Sequence, residues 1–211
     1  VRELLFGPKR FSDLHRGLGG MSQNVLSQRL QELETNGVIR KVRLGPPAAT
    51  SAYELTERGA ALEDVLILLG RWGRERPLPA GGELSTDALM LALKTTFDPS
   101  ATADLNVSID LRLEDDRFRL EVHDGALGIE RGAASRPAIL VQAKEAVVRE
   151  LAFRHRPVSD AIKAGNAEVE GDETLLQRFF HLEVVRRHVV AHATVDDHRL
   201  GGAEPPRGAR H

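Results

Sequence analysis

The 211 residues contain no cysteine, which excludes disulfide frameworks, thiolate nucleophiles and the usual structural zinc sites. An excess of one charge is lacking too: 29 Lys and Arg stand against 31 Asp and Glu, for a net charge of −2. That balance excludes a uniformly basic nucleic-acid binder, though a whole-chain value hides local differences of sign. No apolar stretch approaches the ~20 residues that a membrane span needs, and no basic-then-apolar leader opens the chain. A soluble, cytoplasmic protein with no membrane partner is therefore expected. Internal repeats are absent as well. With 41% hydrophobic and 28% charged residues, the length suits one large domain or two small ones.

The composition breaks at Glu75-Arg-Pro77-Leu-Pro79-Ala-Gly81-Gly82, where two prolines and two glycines follow a helical pattern. Residues 1–78 carry 12 Lys and Arg against 9 Asp and Glu, a charge of +3, whereas residues 79–182 carry 12 against 18, a charge of −6. A basic unit joined to an acidic one points to different partners for each. The expected layout is a basic unit over 1–76, a linker over 77–83, a second domain over 84–182, and a disordered tail over 183–211.

In the first unit, Ser12 is expected to cap a short helix with Phe11, Leu14 and Leu18 on its buried side, ended by Gly19-Gly20. Ser22 is the N-cap of a second helix to Thr35, with Leu26, Leu30 and Leu33 facing inward and Asn36-Gly37 as the exit. Two helices with a tight turn form a helix-turn-helix candidate. The hairpin 38–43 and 51–55 follows, with Arg40, Lys41 and Arg43 on its first arm, suited to phosphates. A last helix over Thr56–Arg74 carries Leu62, Val65, Leu66, Leu69 and Trp72 as an apolar stripe. The outer face of the second helix presents Gln23, Asn24, Ser27, Gln28 and Gln31, with Arg29 at its flank. Side-chain amides pair with adenine in the major groove, hydroxyls reach phosphates, and the helix N-terminus, starting at Ser22, offers free N–H groups. A merely solvated polar face is the alternative for the helix alone. The basic hairpin at this spacing favours double-stranded DNA.

The runs Arg2-Glu-Leu-Leu-Phe-Gly-Pro-Lys-Arg-Phe-Ser-Asp-Leu, Ser22-Gln-Asn-Val-Leu-Ser-Gln-Arg-Leu-Gln-Glu-Leu-Glu, Gly37-Val-Ile-Arg-Lys, Tyr53-Glu-Leu-Thr-Glu-Arg-Gly59 and Trp72-Gly73 resemble the HxlR-type winged-helix transcription regulators. The resemblance implies a homodimer on DNA, with the helix from Ser22 as recognition helix and Arg40–Ser51 as wing, so that Ser51 joins the DNA-contacting set. The family's leading helix and its N-terminal cysteine are missing ahead of Val1, where the chain opens inside an expected helix, Arg2–Phe6.

The second domain reads as α+β. A helix over Thr86–Phe97 precedes three alternating strands, Val107–Leu113, Phe118–Val122 and Leu127–Ile129, with Asp115-Asp116 and Asp124-Gly125 as turns. An antiparallel meander with one polar face is expected. A shorter strand over Ala138–Gln142, helical pieces at Lys144–Phe153 and Val158–Ala164, a strand over Ala167–Glu170 and a helix through Phe180 complete it. The order of elements, and the run Pro157-Val-Ser-Asp-Ala-Ile-Lys-Ala-Gly165-Asn-Ala-Glu-Val-Glu-Gly-Asp172 with Leu175, Leu176, Phe179 and Phe180, resemble the end of a sterol carrier protein-like domain. That resemblance implies a tunnel for an apolar small molecule or lipid, lined by Phe97, Leu111, Phe118, Leu120, Leu140, Phe153 and Phe179.

No catalytic constellation, metal site or cofactor site stands out. Asp115-Asp116 and Asp196-Asp197 fall in expected turns, where water screens them. His188 and His192 are one helical turn apart near Asp196 and His198, a spacing that suits zinc, but in a segment without a core pattern. Gly19-Gly20 and Gly125–Gly128 lack the strand-loop-helix setting of a phosphate cradle, and no nucleophile elbow occurs. The expectation is a non-enzymatic regulator with a ligand-sensing second domain. The alternative is a lipid carrier whose winged helix makes protein contacts.

Overall fold

The computed structural model describes residues 1–45, 50–73, 84–102 and 104–181. The linker over 77–83, the tip of the hairpin, the tail, and the His188, His192, Asp196 and His198 group lie wholly or largely outside the described residues.

The chain opens with a 3-10 turn, Arg2–Leu4, in place of the expected helix through Phe6. Helix α1 spans Phe11–Gly17 and starts at Arg10, which supplies no side-chain cap. Ser12 is therefore inside the first turn and not its cap. The cause is upstream: Lys9 exchanges two backbone hydrogen bonds with Tyr53, at 2.9 and 2.8 Å, so the chain stays extended up to Arg10. Helix α2, Gln23–Thr35, is capped as expected, the Ser22 hydroxyl accepting from the Val25 amide at 3.3 Å. It ends in a left-handed Gly37 at φ +67°, with the Val38 amide donating back to the Leu33 carbonyl.

Strands β1, Ile39–Arg43, and β2, Ser51–Leu55, pair antiparallel. The expected helix from Thr56 is split into α3, Glu57–Ala60, and α4, Leu62–Gly73. Gly59 lets α3 lie close against the chain just before β1, because a Cβ there would meet the Val38 carbonyl oxygen at 2.0 Å. Leu4, Leu14, Leu26, Leu30 and Ile39 form a small core beneath α2.

The second unit comprises α5 (Thr86–Thr96), a 3-10 turn (Pro99–Ala101), β3 (Val107–Arg112), β4 (Arg117–His123), β5 (Ala126–Arg131), β6 (Ile139–Ala143), α6 (Glu145–Phe153), α7 (Val158–Lys163), β7 (Ala167–Glu170) and α8 (Glu173–His181). The meander β3–β4–β5 is antiparallel as expected, with the φ-positive pair Asp124-Gly125 in its two-residue turn. The sheet as a whole is not antiparallel. Its order is β5-β4-β3-β6-β7, and β6 lies parallel to β3, so the fold is α+β around a mixed sheet. Alternation specifies which face a side chain takes, but not which edge the next strand joins or in which direction. Inward residues of all five strands pack with α5, α6 and α8 into one core.

The two units share that core. Phe6 is 7% exposed and meets the Phe118 ring edge-on at 5.9 Å. Helix α4 crosses α5 closely because Gly70 lies against Thr95, where a Cβ would come within 2.8 Å. The expected stripe on α4 is thereby divided: Leu66 packs on the common core beside Ile67, while Val65, Leu69 and Trp72 face solvent together with Leu68.

Candidate nucleic-acid interface

With Leu26 and Leu30 turned inward, α2 exposes Ser22, Gln23, Asn24, Ser27, Gln28 and Arg29 to solvent. Gln28 donates to Glu32 at 3.1 Å and Arg29 pairs with the same carboxylate at 2.6 Å, so both are held along the helix. Gln23, Asn24 and Ser27 are the freest to turn toward a base edge, and they lie at the helix N-terminus where amides favour phosphate.

The hairpin divides its cations between two faces. Lys41 stands opposite Tyr53 and Arg43 opposite Ser51, and these four share the face of the buried Ile39, toward α2. Arg40 pairs across the strand with Glu54, at 2.6 Å, on the other face. The expected row of three cations is thus two facing α2 and one turned away, because residues alternate along a strand. Lys41 is held 3.1 Å from Glu34 at the end of α2, and that carboxylate, with a smaller contribution from Tyr53, keeps its ammonium above the usual lysine range. Its Nζ also lies 5.7 Å from the Tyr53 ring centre. Arg43 is exposed and has no carboxylate within ion-pair distance among the described residues. The acidic partners Glu32, Glu34 and Glu54 were not among the expected site residues; only Glu32, three and four residues from Arg29 and Gln28 on α2, carried a signal in the sequence.

The residues expected to line a ligand tunnel do not converge on an open space. Leu111, Phe118, Leu120, Phe97 and Phe179 are all packed in the common core, with Phe153 at its edge. Leu140 belongs elsewhere: it is in register with Asp110 and Glu170, on the face opposite Leu111 and Val141. The Phe118 ring is covered by Phe6 and by the Arg131 guanidinium, 4.6 Å from its centre. Two crevices open to solvent border the domain. One, of about 430 Å³, follows the ends of β3 and β6 near Arg112, Gln142 and Lys144. The other, of about 320 Å³, lies between α4 and the β4–β5 turn, with Phe97, Ile67 and Leu127 in its wall. Among the described residues no group of acidic or histidine side chains is arranged to hold a metal, and no helix is long and apolar enough to cross a membrane.

The model of the HxlR-like helix-turn-helix family matches residues 1–78, and that of the alkyl sulfatase C-terminal family matches residues 81–183. The second match names a family other than the expected sterol carrier protein-like one. The HTH-type transcriptional regulator YvaP of Bacillus subtilis is 37% identical over 75 residues, which are 36% of this chain and 69% of YvaP. YtcD of the same organism is 40% identical over 70 residues, 33% of this chain and 56% of YtcD, so the chain spans little more than half of that relative. Among solved structures, the stereoselective inverting sec-alkylsulfatase Pisa1 from Pseudomonas sp. is similar over 47% of this chain and 16% of its own, at 22% identity and a TM-score of 0.45. By the match of residues 1–78, over which the helix-turn-helix and the hairpin lie, and by its likeness to YvaP, the chain belongs to the HxlR-like helix-turn-helix family.

Proposed function

We propose that the protein is a DNA-binding transcription regulator that acts as a homodimer in the cytoplasm, with a C-terminal domain that senses an apolar small molecule or lipid. The observation that carries the DNA reading is Arg43, exposed on the hairpin face of Ile39 with no carboxylate at ion-pair distance among the described residues, in a chain of this family whose α2 also exposes an amide-rich face. Gln23, Asn24, Ser27 and Gln28 discriminate bases, while Ser22, Arg29, Lys41, Arg43 and Ser51 contact phosphates. Arg40, turned toward Glu54, reaches only a backbone that curves around the hairpin.

Replacing Arg43 by Ala removes one phosphate contact. Fluorescence anisotropy with specific and random duplexes should show similar loss on all sequences and a salt slope lower by about 1. A sequence-selective loss would remove Arg43 from the phosphate-contacting wing.

The sensing reading is supported by the match of residues 81–183 to a family named for enzymes acting on alkyl sulfates, and by the crevice at Phe97. A sterol carrier protein-like use of the domain, taking an alkyl chain between sheet and helices, requires Phe118 or Phe97 to move from their packed positions. Native mass spectrometry of protein purified from cells, before and after mild organic extraction, tests it: a releasable apolar molecule is expected, and a protein carrying nothing assigns the domain a structural role.

A further inference from the structure

The contact between the two units is polar as well as apolar, and its polar part centres on a carboxylate that water does not reach. Asp87, in the first turn of α5, is 0% exposed. One of its oxygens accepts from Arg131 Nη2 at 2.9 Å, and the other is paired with Lys9 of the winged-helix unit. Arg131 is itself shared with Asp116 and covers the Phe118 ring. Lys9 Nζ lies a further 3.7 Å from Glu3, whose other oxygen accepts from the Ser85 hydroxyl at 2.7 Å.

Lys9 is also the residue whose backbone pairs in both directions with Tyr53 of β2. Tyr53 faces Lys41 in the hairpin register, and Lys41 is tied to Glu34 at the end of α2. Apolar packing of similar volume often stabilises as much as a buried ion pair, so what this pair can add is a single permitted geometry. The side chain of Lys9 thus selects a position on the second domain, and its backbone passes that position to the hairpin.

We propose that Asp87, in the C-terminal domain, is a positioning residue for the DNA-contacting hairpin and acts on it through Lys9. The proposal rests on the DNA-binding reading for its consequence, but its structural core does not depend on DNA. Whatever shifts the first turn of α5 or Arg131 then shifts the root of the wing.

Hydrogen exchange followed by mass spectrometry on the full chain tests it with Asp87→Asn, Lys9→Met and the double variant. In each single variant, peptides covering residues 6–10 and 51–55 should exchange roughly tenfold faster or more, while peptides from β3 and β4 keep parental protection. The double variant should exchange no faster than the Lys9→Met variant, because both replaced groups belong to one interaction. Equal acceleration everywhere would reduce Asp87 to a general stabiliser and overturn the proposal, as would unchanged exchange at 51–55. Should Asp87→Asn fail to fold, Lys9→Met, at a side chain 16% exposed, carries the same test. On DNA, Asp87→Asn should lower the salt slope as Arg43→Ala does. A parental protein that ignores DNA would overturn the functional reading and leave the exchange result standing.

Discussion

Asp110 is on the outer, polar face of the five-stranded sheet, yet it is fully buried. Arg117 Nε donates to it at 2.7 Å, a second guanidinium hydrogen bond reaches its other oxygen, and the Ala134 amide donates as well. The hydrogen bonds from Arg117 hold its carboxyl below the ordinary aspartate range, outweighing the opposing effect of burial. A depressed folded-state pKa means that the unfolded chain binds the proton first as pH falls. The stabilisation is present above the unfolded value near pH ~3.9 and is lost as pH drops through the lower folded one. Asp110→Asn should cost roughly 1–2 kcal/mol at neutral pH, since the partner is partly exposed, and should flatten the acid limb of stability. Urea titrations at pH 7 and at stepped acid pH measure both; equal acid limbs in the two proteins would assign the pH response to other carboxylates.

Among the elements, α4 is unusual in being apolar on two sides. One side crosses α5 at Gly70, and the other leaves Leu68 at 63%, Leu69 at 56% and Trp72 at 68% exposure. Exposed apolar clusters of that kind are candidates for association sites, and the homodimer proposed above would supply a second copy of the same helix as the occupant. Leu69→Glu places a charge at the centre of that face and should convert dimer to monomer in analytical ultracentrifugation with folding intact by circular dichroism. Persistence of the dimer would move the interface off α4. How far such features are legible in sequence differs by element. Helix α2 was readable from Ser22 to Gly37 because cap, apolar spacing and left-handed exit agree, and β3–β5 were readable because their alternation and the Asp124-Gly125 turn agree. The break between α3 and α4 was not, and neither was the close approach of Gly59 to the Val38 carbonyl, a contact between residues distant in sequence. The two faces of α4 merge into one stripe in a helical projection, and only the docking of α5 separates them. In the candidate site, the exposed face of α2 followed directly from its core positions, and the division of Arg40 from Lys41 and Arg43 follows from strand alternation, whereas the pairing of Arg40 with Glu54 needs the strand register. The placement of Leu140 opposite Leu111 likewise needs the parallel pairing of β6 with β3.

For the whole molecule, the joining of the units through Phe6 sets how it unfolds. Nearly complete burial of this ring contributes about 1.5–3 kcal/mol, and truncation also leaves a void beside Phe118 that the sheet cannot close without moving. Phe6→Ala is expected to lower stability by roughly 3 kcal/mol. In calorimetry, the single endotherm expected of the parent should separate into two. A mutant endotherm that shifts but stays single would show that α4 on α5 is enough to keep the units cooperative.

The residues around Phe6 and Lys9 also bear on how such a chain can be rearranged. They precede the helix-turn-helix and count as part of it along the sequence, yet their side chains complete the other domain. An exchange of winged helices between this chain and a single-domain relative, cut at the linker, would therefore bring in a foreign plug for the space over Phe118 and a foreign partner for Asp87. A working chimera has to keep Phe6 over the sheet and Lys9 on Asp87, and its new reading head has to take Leu4 into its small core and the Lys9 backbone onto its hairpin.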